Sequence, residues 1–84
     1  MSQIKIKVLL FGACRETAGT SEMECEFDGP TDVATAWASL AARVPGLAGY
    51  ERSALFAVNE EHARVQDPIR DGDTLAIFPP VSGG

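Results

Sequence analysis

One helical stripe, set in a chain otherwise patterned as strands, most limits what these 84 residues can become. Val33, Trp37, Leu40, Ala41 and Val44 fall at i, i+4, i+7, i+8 and i+11, which places them along one side of a helix. Pro30-Thr31-Asp32 opens it, with Thr31 or Asp32 as the capping residue, and Pro45-Gly46 ends it. Its place on the stripe makes Trp37 a core residue. Upstream, Ile4–Phe11 alternates and then turns wholly apolar, as a strand does on entering the middle of a sheet. Glu22–Phe27 alternates strictly, with Met23, Cys25 and Phe27 on a core face and three glutamates on the other. A short helical connection and a Gly19-Thr20 turn separate the two strands. If they pair antiparallel, Lys5 and Lys7 face Glu24 and Glu26 across the ladder.

Downstream of the helix, residues 47–54 read as an irregular or short helical segment. Leu55–Val58 is a strand, Asn59-Glu60-Glu61 a turn, and His62–Val65 contains a second short strand. Asp67-Pro68 and Asp71-Gly72-Asp73 are turn signals before a last strand, Thr74–Phe78. The expected class is α+β, one domain with one main helix.

Size and charge narrow the chemistry. A chain this short buries only somewhat over ~60% of its unfolded surface, so a deep, self-contained catalytic cleft is not expected. The net charge is −5 and no two Lys or Arg residues are adjacent, which disfavours nucleic acid as a partner. An acidic surface suits a basic protein partner. No apolar run approaches the ~20 residues of a membrane helix, and no signal-peptide pattern is present, so a cytoplasmic protein is expected. Cys14 and Cys25 read as ordinary reduced thiols, and His62, the one histidine, as a partly exposed strand residue. Neither zinc-ligand spacing nor a phosphate-cradling glycine loop appears, so no metal or bound cofactor is expected on this chain.

The ending carries the functional signal: Phe78-Pro79-Pro80-Val81-Ser82-Gly83-Gly84. Pro79-Pro80 stops the last strand by removing two donors and favours an extended exit. Gly83 and Gly84 lack Cβ atoms, so the tip could thread a channel too narrow for ordinary side chains. A stiff spacer, a thin tip and a carboxylate suit a chain whose own C-terminus reacts. The expected division is a folded domain over residues 1–78 and an extended reactive tail over 79–84.

This tail resembles that of the ubiquitin-like sulfur-carrier family (MoaD/ThiS), and its Pro-Pro leans towards the molybdopterin branch. Three internal blocks resemble the family in order and spacing: Leu10-Phe11-Gly12-Ala13-Cys14-Arg15-Glu16, Ala57-Val58-Asn59, and Asp71-Gly72-Asp73 through Pro80. The resemblance implies a β-grasp fold with a mixed sheet of four to five strands. It also implies that an E1-like activating enzyme uses ATP to adenylate Gly84. A donor such as a cysteine desulfurase then supplies sulfur, leaving a thiocarboxylate. The large subunit of molybdopterin synthase is the implied partner, in a heterotetramer, and cyclic pyranopterin monophosphate the sulfur acceptor. By the same resemblance Pro79, Pro80 and Val81 form the base of the tail and Ser82 and Gly83 its narrow approach. Phe11 and Phe78 are implied contacts at its root, and His62 stands where relatives carry an apolar contact residue. Other readings remain open: a carrier for thiamine, tRNA thiolation or cysteine synthesis, a ubiquitin-like modifier, or a plain interaction module.

Overall fold

The strand and helix signals assemble around the expected helix in a computed structural model that describes residues 3–50 and 53–79. The first strand, β1 (Gln3–Leu10), alternates between exposed and buried positions, with Ile4, Ile6, Val8 and Leu10 inward. A short helix, α1 (Gly12–Ala18), leads to β2 (Glu22–Asp28). These two strands pair antiparallel with Lys5 opposite Glu26 and Lys7 opposite Glu24, and the Lys5 ammonium lies 3.8 Å from the Glu26 carboxylate.

The chain then enters β3 (Thr31–Asp32) and the main helix, α2 (Val33–Arg43). Asp32 is its cap: the backbone there is extended, and the carboxylate accepts a hydrogen bond from the Thr35 amide at 2.8 Å. Val33, Ala36, Trp37 and Leu40 are buried, whereas Ala41 and Val44 are only half-buried. The stripe is therefore centred about one residue earlier than the sequence periodicity suggests. A 3-10 helix at Pro45–Tyr50 follows, anchored by fully buried Leu47.

The remaining strands are β4 (Leu55–Val58), β5 (Glu61–Ala63), β6 (Pro68–Ile69) and β7 (Thr74–Phe78). Five of the strands form one sheet in the order β2-β1-β7-β4-β5. β1 and β7 run parallel and the other neighbours antiparallel, so the sheet is mixed. Two strands escape the sequence patterns. β3 and β6 pair in a two-residue ladder, Thr31 with Ile69 and Asp32 with Pro68. The turn expected at Asp67-Pro68 lies slightly earlier, where the Arg64 amide donates to the Asp67 carboxylate and the Asp67 amide to the Arg64 carbonyl. This frees Ile69 to be buried.

The core lies between one sheet face and α2, where Trp37 meets Phe56 edge to face at 5.6 Å. Cys14 and Cys25 are free and buried. Burial pushes both thiols up, and at Cys25 the Arg43 guanidinium, donating to Sγ at 3.3 Å, partly opposes it. No helix among the described residues is long and apolar enough to cross a membrane.

Candidate functional site: the open sheet face and the tail root

Because the helix covers one sheet face, the residues that alternate outward build the other. From β1 come Lys7, Leu9 and, just past the strand, Phe11. From β7 come Thr74, Ala76 and Phe78, and from β4 Leu55 and Ala57. They line a groove of about 850 Å³. Its floor is apolar, and Asn59, Glu60 and His62 close the end formed by the β4–β5 turn. Of the four large apolar side chains exposed among the described residues, Phe11, Leu55 and Phe78 share this groove. Such concentration on one face is what a docking surface requires.

The root of the tail sits at one end. Phe11 and Phe78 stack with ring centroids 4.7 Å apart and planes 8° from parallel. The Phe11 amide donates to the Ile77 carbonyl at 3.2 Å, which locks the end of β1 onto β7. Immediately after, Gly12 has φ +53, and a Cβ there would come within 2.8 Å of the Pro79 ring. Only a bare α-carbon lets Pro79 pass this close without adjustment. Pro79, the residue after β7, thus lies pressed against the start of α1.

The site residues expected from the sequence divide accordingly. Phe11 and Phe78 are exposed at 41% and 37% and lie together, outside the core. Pro79 is half-buried against Gly12. Pro80, Val81, Ser82, Gly83 and Gly84 lie outside the described residues. His62 is exposed on β5, opposite Ala57, and belongs to the groove rim. Leu9, Leu55, Ala57 and Ala76 complete the groove without having been singled out. Their signal was present in β4 and β7, whose sequences Leu-Phe-Ala-Val and Leu-Ala-Ile-Phe are apolar on both faces although only one face meets the helix. Among the described residues no three His, Cys, Asp or Glu side chains gather as metal ligands would.

The β4–β5 turn that carries the rim is tightly held. Asn59 and Glu60 both take left-handed backbone, φ 51 and 71, as a two-residue hairpin loop demands. The Asn59 side chain accepts from the Thr74 amide at 3.0 Å and donates to the Asp73 carboxylate at 2.9 Å. The turn is thereby fastened to the start of β7, across the groove floor.

Comparisons with known proteins identify the family and the fold. The family model described as "ThiS family" matches residues 8–84. The molybdopterin synthase sulfur carrier subunit of Escherichia coli K12 is 41% identical over 81 residues, covering 94% of this chain and 99% of that protein. The protein of the same name from Chlamydomonas reinhardtii is 39% identical over 83 residues, covering 96% of this chain and all of the relative. Among solved structures, SAMP1 from Haloferax volcanii superimposes with a TM-score of 0.83 at 30% identity, covering 95% of this chain and 99% of its own. The fold is the ubiquitin-like β-grasp. With the matched segment running from β1 through the groove strands to the final glycine, this chain belongs to the ThiS family of sulfur carriers.

Proposed function

We propose that this chain is the sulfur-carrying subunit of molybdopterin synthase and that Gly84 is the residue it presents for chemistry. The observation that carries this reading is full-length similarity to relatives of that name, joined to a tail root braced by Phe11, Gly12 and Phe78. A carboxylate is a poor electrophile, so an E1-like enzyme first joins Gly84 to AMP, spending ATP and releasing pyrophosphate. The terminal sulfur of a donor persulfide, supplied by an enzyme such as a cysteine desulfurase, displaces AMP to give an acyl disulfide. A thiol then attacks the donor sulfur and cleaves the S–S bond, so that the donor leaves as a disulfide and Gly84 as a thiocarboxylate. Its ionised sulfur is a good nucleophile, which the large subunit directs at cyclic pyranopterin monophosphate. The acid and base groups belong to that partner; this chain contributes the sulfur and the docking face. Ser82 and Gly83 are the narrow approach to the partner's active site, with Pro79, Pro80 and Val81 at its base. The chain works in the cytoplasm without a bound cofactor of its own.

Reconstitution tests this. Charged protein, the large subunit and cyclic pyranopterin monophosphate together should yield molybdopterin, and a chain ending at Gly83 should yield none. Product formation with the truncated chain would overturn the assignment of Gly84. The likeness to SAMP1, a small archaeal modifier protein, favours a second reading in which Gly84 is joined to lysines of other proteins. Lysine-linked adducts in cells, dependent on Gly84, would identify that activity.

A further inference from the structure

The groove is apolar in its floor but not at its margins. Glu22 pairs with Leu9 across the β1–β2 ladder, so it stands on the open face beside a lining residue. Glu60 lines the opposite end. Leu9 lies opposite Glu22, so no cation faces that carboxylate directly; the nearest on the ladder is Lys7, diagonal to it and itself opposite Glu24. Glu60 also holds φ 71 at a loop position where glycine is the default, so the backbone strain there comes with a carboxylate at the rim.

We propose that Glu22 and Glu60 form two acidic flanks of the docking groove and select a partner whose apolar face is bordered on both sides by Lys or Arg. The proposal rests on the sulfur-carrier reading and identifies that partner as the large synthase subunit. The apolar floor supplies contact area. The flanking carboxylates set orientation and raise the rate of encounter, because complementary charges at a rim act mainly on association. Phe78 lines the groove, so a partner held by these flanks also covers the end of β7, next to Pro79.

The test measures association and dissociation rates of the full chain with the large subunit from the same organism, at low and high salt. The double variant Glu22→Gln/Glu60→Gln should associate about 3- to 10-fold more slowly at low salt and lose much of the wild-type salt dependence, with dissociation little changed. Glu61→Gln is the control. It removes one charge from the same turn, but Glu61 pairs with Val58, which packs towards the core, so its side chain alternates away from the groove. Its rates should match wild type. Equal association rates and salt slopes for wild type and the double variant would overturn the proposal alone. An equal loss in Glu61→Gln would also overturn it, because net charge and not the flanks would then govern. Failure of the wild-type chain to bind the subunit would overturn the sulfur-carrier reading and the proposal together.

Discussion

Phe11 and Phe78 lie face to face, 4.7 Å between ring centroids, although one follows the first strand and the other closes the last. The pair exists because β1 and β7 run parallel side by side, which brings their C-terminal ends to one edge of the sheet. It stands at the end of β7, immediately before Pro79. Each ring is more than a third exposed, so truncating either removes little core. Phe78→Ala should cost about 1–2 kcal/mol in folding stability, well short of the loss for a fully buried phenylalanine. As a docking anchor it should lose about 2 kcal/mol of affinity for the large subunit, roughly 30-fold. Thermal denaturation and titration of the same variant measure the two effects. A large stability loss with unchanged affinity would assign the stack to structure alone.

Asp32 couples the fold to pH. Its carboxylate accepts from the Thr35 amide at the start of α2, and that bond holds it below the usual carboxylate range. A lowered folded-state value means the contribution is present above the unfolded carboxylate value of ~3.9 and is lost as pH falls through the folded value. Wild type should therefore lose more Tm than Asp32→Asn between about pH 6 and pH 3, since asparagine keeps an acceptor but does not titrate. Parallel melting curves across that range would reveal the difference, and coincident acid-side losses would contradict it.

Glu60 makes the opposite kind of prediction, a gain. Its left-handed backbone favours glycine, and Asn-Gly is the preferred pair for this two-residue loop. Glu60→Gly should stabilise the domain by about 0.5–1 kcal/mol despite deleting a side chain. Urea unfolding measures this, and a loss of stability would show that the Glu60 side chain makes a contact stronger than the backbone strain.

Thr31 offers a second gain. Its hydroxyl oxygen is buried and has no hydrogen-bond partner among the described residues. Thr31→Val keeps the β-branched shape of this strand residue and removes the unsatisfied group. It should raise stability by about 1 kcal/mol in the same assay. A decrease would mean that the hydroxyl is satisfied in solution.

Much of the fold was legible because its two main periodicities are clean. Ile4, Ile6 and Val8 alternate with charged or exposed neighbours, and Val33, Trp37 and Leu40 repeat at helical spacing. Local chemistry also pointed to the Asp32 cap and the Asn59 turn. The β3–β6 ladder was not legible, since two-residue strands have no periodicity and Pro68 reads as a turn residue. Ala41 was expected on the buried stripe and Ala36 was not, because a periodic count finds the helix face but not which edge of it the sheet covers. Of the groove residues, family resemblance singled out Phe11, Phe78 and His62. Leu55 and Ala57 were signalled only by apolar character on both faces of β4; which face stays open is a long-range fact, set by the helix packing on the other.

The central claim concerns Gly84, and intact-mass measurement addresses it most directly. Protein with an unmodified C-terminus should be incubated with activating enzyme, ATP and a sulfur donor. The account predicts a species heavier by the difference between one sulfur and one oxygen atom, with the added mass on the C-terminal residue and absent when Gly84 is deleted. Protein that keeps its unmodified mass after this treatment would contradict the account.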